Sequence, residues 1–305
     1  MQKSLLLAVL FPFILNAHPP VGIVADSKSN IYYSDLQQVW KIDRFGNKTI
    51  VVPHVHTHEL AVDKLDRIFG QESIYSGEAT NTYQHAVWMY DTKNNKRETI
   101  VPVTEGFYIH DYSFVRDDAG NMYWIKVGAK DTTLMKTTPS GKSTLLARGD
   151  FKRVQWMHFA NDHLYYIQSG NIYSVDVEGV IKPFIHNLQG NLFGLWSDKD
   201  GNLYVANHTQ RIIHKINKEG ETQTFYKSPG DWAPTGGTFD HDGNLWVLET
   251  NTKHEIRAIK ANTYKTKQVH QNSSGIPSYM YYWFAGALAL SILLKSISRY
   301  KEQKT

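Results

Sequence analysis

The sequence predicts an all-β chain folded as a six-bladed β-propeller with four-stranded antiparallel blades, and three observations carry that expectation. A motif of Asp, a tight turn and then Leu, Ile or Met followed by an aromatic residue recurs six times. The recurrences are spaced about 40 residues apart, the length of one propeller blade. Short apolar runs broken by Gly, Asn and Asp fill the intervals, and helical periodicity is absent outside the two chain ends. A unit of four short strands cannot bury both its faces alone, so such units stack side by side into a ring.

Taken in order, the copies are Asp26 with Asn30-Ile31-Tyr32, Asp63 with Arg67-Ile68-Phe69, and Asp117 with Gly120-Asn121-Met122-Tyr123. Then follow Asp162 with His163-Leu164-Tyr165, Asp198 with Gly201-Asn202-Leu203-Tyr204, and Asp240 with Gly243-Asn244-Leu245-Trp246. Taking Asn30, Arg67, Asn121, His163, Asn202 and Asn244 as equivalent, the spacings are 37, 54, 42, 39 and 42 residues. Asp-x-x-Gly-Asn makes a tight turn because Gly and Asn accept positive φ and Asp bonds its own backbone. The fifth blade then divides into strands at 193–196, 203–207, 212–216 and 222–226, and all six blades are expected to hold four strands in order. The long second spacing implies an insertion at about residues 74–84, between the second and third strands of blade two.

The ends of the chain read differently. Lys3, an apolar run over 5–15 and Asn16-Ala17 have the layout of a secretory signal peptide, residues 1–17. The propeller is expected over 18–274, followed by a linker and transmembrane helix over 275–298 and a basic tail over 299–305. Residues 279–294 carry no charge, Tyr279, Tyr281, Tyr282 and Trp283 form an aromatic belt, and Lys295, Arg299, Lys301 and Lys304 follow. Positive residues favour the cytoplasmic side, so the body is expected outside the cytoplasm, periplasmic or extracellular, on a single-pass anchor.

Composition narrows the function. The chain of 305 residues has a formal charge of +4, but Lys3 and the tail account for all of it, so the body is neutral and lacks the basic footprint of a nucleic-acid binder. There is no cysteine, which removes disulfides, thiolate metal sites and cysteine nucleophiles. The 14 histidines fall unevenly. In a blade, residues entering the first strand and leaving the second crowd one mouth of the central channel, opposite the Asp turns. Asp35, Glu72, Lys126, Gln168, Asn207 and Glu249 leave second strands; His56, His58, Glu59, His110, Asp111, Tyr112, Trp156, His158 and Trp232 enter first strands. Aromatic walls with convergent polar groups suit a small molecule. The candidate substrate-binding residues are therefore Asp35, Glu72, Asp111, Tyr112, Trp156, Asn207, Trp232 and Glu249. Glu59, His110 and His158 are the candidate catalytic groups. His56 and His58, two apart on an extended segment, are candidate ligands for a divalent metal ion.

The Asp-x-x-Gly-Asn-Leu-Tyr repeats resemble NHL-repeat, gluconolactonase-like and streptogramin-lyase-like propellers over residues 21–269, and the stretch from Pro234 to Glu249 is most similar to the last of these. The resemblance implies either a metal-assisted lactonase, ester hydrolase or lyase, or a non-catalytic propeller that binds a protein partner. A gluconolactonase-like metal site requires a Glu, an Asn-Gly pair and an Asp. Here Glu59 is displaced by one position, Phe193-Gly194 stands in place of Asn-Gly, and Asn207 replaces the Asp.

The topology is directly testable. Protease added to sealed spheroplasts or right-side-out vesicles should digest the body and spare a tag placed after Thr305. The reverse pattern would invert the orientation.

Overall fold

The computed structural model describes residues 19–75, 82–106 and 111–261. The expected signal peptide, membrane helix and basic tail, the last part of the 18–274 propeller segment, and His110 lie outside these residues. Among the described residues no helix is long and apolar enough to cross a membrane.

Six sheets follow one another along the chain, each a meander of neighbouring antiparallel strands. Blade one is β1 (Ile23–Ala25), β2 (Ile31–Ser34), β3 (Val39–Ile42) and β4 (Lys48–Val52). Blade two is β5 (Leu60–Val62), β6 (Arg67–Tyr75), β7 (Tyr83–Asp91) and β8 (Lys96–Glu105). Blade three holds β9 (Met122–Val127), β10 (Thr132–Thr137) and β11 (Ser143–Gly149). Blade four is β12 (Val154–Ala160), β13 (His163–Gln168), β14 (Asn171–Val175) and β15 (Ile181–Ile185). Blade five is β16 (Leu192–Ser197), β17 (Leu203–Asn207), β18 (Ile212–Ile216) and β19 (Thr222–Lys227). Blade six holds β20 (Ala233–Phe239), β21 (Leu245–Thr250) and β22 (Ile256–Ala261).

One expectation is corrected. Blade three shows three strands among the described residues rather than four; blade six shows three, and its expected fourth strand, after Ala261, falls outside the described residues. In blade three the innermost segment makes only a bridge from Arg116 to Met122 and a bond from the Tyr123 N–H to the Val115 carbonyl (3.0 Å). The expected insertion in blade two falls between β6 and β7, which pair as far as Tyr75 opposite Tyr83; residues 76–81 lie outside the described residues.

The Asp turn explains the regularity. Asp198 accepts the Asn202 backbone N–H (2.9 Å) and side-chain amide (2.8 Å), and the Tyr204 hydroxyl donates to it at 2.9 Å. Burial alone would raise the Asp198 carboxyl, but these bonds outweigh it and hold the group below its ordinary value. Asp26 and Asp117 repeat the pattern with Asn30 and Tyr32, and with Asn121 and Tyr123. In blade six the Trp246 indole N–H takes the place of the phenol (3.0 Å to Asp240), and in blade two Arg67 takes the place of Asn (2.7 Å to Asp63). Blade four departs. Asn161 and Asp162, both at positive φ, form a two-residue hairpin turn, and the Asn161 amide reaches across to the Gly201 carbonyl of blade five (2.7 Å).

Aromatic and branched side chains after each turn pack between blades. Buried clusters join blade one to two, three to four, four to five and five to six. Another closes the ring, placing Tyr33 and Ile42 of blade one with Trp246, Leu248 and Ala258 of blade six. The seam between blades two and three holds no such cluster among the described residues; there Lys64 donates to the Asp118 carbonyl at 2.8 Å.

The innermost strands sit side by side around the axis, β1 against β5 and β20, and β16 against β12 and β20. Glycine permits this closeness. A Cβ on Gly194 would lie 2.7 Å from the Thr235 carbonyl oxygen, one on Gly22 would lie 2.8 Å from the Leu60 nitrogen, and one on Gly236 would collide with the Val21 carbonyl at ring closure. Gly236→Ala should therefore cost roughly 2–3 kcal/mol through overpacking against backbone. Gly243→Ala, at a turn with φ of 80° and open space around it, should cost about 1 kcal/mol. Thermal melts of the two variants check the order; equal losses would contradict the close approach at the closure.

Candidate functional site: the central channel

A cavity of about 1010 Å³ runs along the axis, walled by the innermost strands of all six blades. It extends from the level of Glu59, Tyr112 and Trp156 down to the turn face at Asp63, Lys64, Leu65 and Asp117 to Gly120. The sequence reading placed the site at the mouth opposite these turns; the cavity instead continues through to the turn face.

Of the sequence-derived candidates, Glu59, Tyr112, Trp156 and His158 line this cavity. Glu59 follows His58 and enters β5 from the channel side. Its side chain is exposed to channel water and has no hydrogen-bond partner among the described residues. The protein wall around it, with no compensating cation, raises its pKa toward about 7, a shift that channel water moderates. Across the ring, His158 Nε2 lies 2.9 Å from the Ser197 hydroxyl of the next blade. Burial pulls this imidazole down to about 4, so it is neutral at physiological pH.

Arg116 is the channel residue that the sequence reading missed. Its guanidinium lies 5.4 Å from the centre of the Tyr112 ring. It donates to the Ser113 carbonyl and to the Val115 carbonyl (3.1 Å). Burial lowers its pKa, and among the described residues no carboxylate pairs with it. The signal was present as Tyr112, Phe114 and Arg116, spaced two apart on one side of an inner segment. Standing next to the turn residue Asp117, Arg116 reads as part of the turn.

Other candidates are placed elsewhere. Asp35, Asn207 and Glu249 are fully buried and outside the cavity wall. Asp35 accepts the Gln37 and Gln38 backbone N–H groups (both 2.9 Å) and the Trp40 indole N–H (2.7 Å). Asn207 donates to the Gln189 carbonyl at 2.7 Å and accepts the Gln210 N–H at 3.1 Å. Glu249 binds Arg257 through two nitrogens (2.7 and 2.6 Å) and accepts the Tyr226 hydroxyl at 2.8 Å. Arg257 in turn stacks 3.8 Å from the Trp232 ring centre, which occupies that candidate in packing. Glu72 is ion-paired with Arg97, and Asp111 is exposed at positive φ. The physical reason is radial. A second strand stands about 4.8 Å further from the axis than the first, and its terminal polar groups are consumed by local turns.

His56 and His58 do converge, with Nε2 atoms 3.1 Å apart. His56 Nδ1 lies 2.9 Å from the Leu36 carbonyl and so carries the proton, leaving Nε2 to accept from His58. One N–H···N bond accounts for this geometry. No group of three or more His, Asp or Glu gathers around one point among the described residues.

The fold is similar to those of several solved propellers. A gluconolactonase from Xanthomonas campestris matches with a TM-score of 0.56 at 15% identity, covering 75% of this chain and 83% of that one. Regucalcin from Agrobacterium tumefaciens, a calcium-binding protein, matches with a TM-score of 0.54 at 15% identity, covering 78% and 83%. A luciferin-regenerating enzyme gives 0.51 at 16% identity, covering 76% and 83%. The likeness is one of fold. No protein-family model and no curated protein sequence matches the chain. Nor do the residues fit a calcium ion in the channel, which asks for six to eight oxygen donors. Phe193 occupies one expected donor position, and the Asn207 side chain is already committed at its own turn.

Glu59 makes a pH prediction. Its folded carboxyl keeps its proton up to about 7, whereas the unfolded chain releases it near the ordinary value of 4.5. The folded state therefore binds more protons between these values, and stability falls as pH rises through that window, levelling off above it. Carbon-13 titration of the Glu59 carboxyl should show a midpoint near 7, and Glu59→Gln should flatten the stability profile between 4.5 and 7. A midpoint near 4.5 would remove the basis for the shift.

Proposed function

We propose that the chain is an exported, membrane-tethered propeller that binds a small molecule in its channel and acts on it by acid–base chemistry at Glu59. The observation that carries this reading is a partnerless carboxyl on the wall of a cavity of small-molecule size, its pKa raised toward neutrality by the surrounding protein. A carboxyl poised near neutrality is half ionised at working pH, which suits a group that must both take and return a proton. Trp156, Phe114 and Tyr112 supply apolar walls for the body of the ligand, and the His158–Ser197 pair offers neutral hydrogen-bonding groups on the far side.

The reaction class that suits these groups is hydrolysis of a lactone or ester, or an elimination. In hydrolysis the ionised Glu59 would take a proton from water as it adds to the carbonyl, then return that proton to the departing alkoxide oxygen. The signal peptide and C-terminal anchor support an extracytoplasmic setting for this chemistry.

The full chain should be assayed against a panel of lactones, aryl esters and eliminable substrates. Turnover is expected to rise with pH around a midpoint near 7, and Glu59→Gln should lower kcat by about 100-fold or more. His163→Ala, in a hairpin turn outside the cavity wall, should turn over like the parent. No turnover across the panel, or an equally fast Glu59→Gln chain, would overturn the catalytic reading. A protein partner captured on the disc face of such an inactive chain would then favour the interaction propeller.

A further inference from the structure

We infer that the channel ligand carries an oxyanion, a carboxylate or a phosphate, and that the Arg116 guanidinium in the blade-three wall holds it within the same cavity as Glu59. The inference rests on the channel being a small-molecule site and adds the chemical class of the molecule.

Arg116 carries the argument. Half-buried in the cavity wall, it has lost part of its hydration without gaining a carboxylate. Among the described residues Glu59 of the facing blade shares the cavity without an ion pair to Arg116, and the acids beside Arg116 are otherwise placed. Asp117 is bonded by Asn121 and Tyr123, Asp63 is paired with Arg67, and Asp118 is exposed at the mouth. The guanidinium bonds described above use one terminal nitrogen for backbone carbonyls and leave other N–H donors for the cavity. A planar fork of this kind binds carboxylate or phosphate through two parallel bonds. Lys64, whose side chain crosses the same seam, adds positive charge to the cavity wall.

Leu60 and Ile68 pack into the cluster shared with blade one, so Ala61 and Glu59 lie on the opposite side of the strand, toward blade three. Tyr112, Phe114 and Arg116 line the facing wall. The guanidinium reaches back to the Ser113 carbonyl, so an anion held there shares the cavity with Glu59, with Phe114 beside it.

Calorimetry on the full chain at fixed ionic strength tests this with inorganic phosphate, benzoate, and benzamide as the uncharged mate of benzoate. Saturable binding of phosphate or benzoate at millimolar concentration is expected, with benzamide at least tenfold weaker; the tighter of the two anions identifies the head group. Arg116→Gln should weaken anion binding tenfold or more, and Arg116→Lys, which keeps the charge, should recover part of it, both with an unchanged β-rich circular dichroism spectrum. Equal binding of benzoate and benzamide, an Arg116→Gln chain that binds anions like the parent, or no saturable anion binding would each overturn the inference. Glu59-dependent turnover alongside equal benzoate and benzamide binding would sink this inference alone. Arg116-dependent anion binding without any Glu59-dependent turnover would sink the catalytic reading and leave this one standing.

Discussion

The carboxylate that opens each Asp turn governs the structure. In blade five, one side chain ties down the backbone four residues on, the amide of that same residue, and the hydroxyl of the aromatic residue two further along. A single acid thereby fixes the turn, the register of the first two strands, and the rotamer of the ring that packs into the seam. Lys215 completes the unit, 3.8 Å from Asp198 and over the Tyr204 ring. Repeated around the disc, this local device sets the height of every inner-strand residue relative to the turn face, and so decides which side chains share a level in the channel.

Two arginines, one buried and one half-buried, show how context divides structure from function. Arg257 meets Glu249 in a region with almost no exposure, with Tyr226 and Trp232 completing its surroundings. Removing either partner of such a pair costs about 3–5 kcal/mol, because the other charge is left alone. That network locks blade six and has no spare valence for a ligand. Arg116 has the same chemistry without the acid, in a wall that faces open space. One is a completed circuit inside a blade; the other is an unmet charge at a cavity.

Much of the fold was legible because turn chemistry is local. All four strands of blade five are found within a residue or two of the positions that their turns imply. In blade two the long spacing marks extra residues between the second and third strands, and their described part is taken up by lengthened, paired strands. The site was only half legible. Glu59, Tyr112, Trp156 and His158 lie on inner strands, where position along the chain translates directly into position around the axis. Asp35, Asn207 and Glu249 shared a sequence offset but not a destination, because their side chains bond locally before they can reach the channel. Sequence offset reports height along a blade. It does not report distance from the axis.

The seam between blades two and three has a consequence for the ring as a mechanical object. In a closed array each unit is held only by its two neighbours, so the assembly is as durable as its least cohesive joint. Five joints are sealed by buried hydrocarbon. At the sixth, among the described residues, a lysine-to-carbonyl bond spans the gap and polar groups of both blades face the channel. A molecule lodged there would act as a keystone, adding to the cohesion that the described residues place at that joint and slowing the opening of the whole disc.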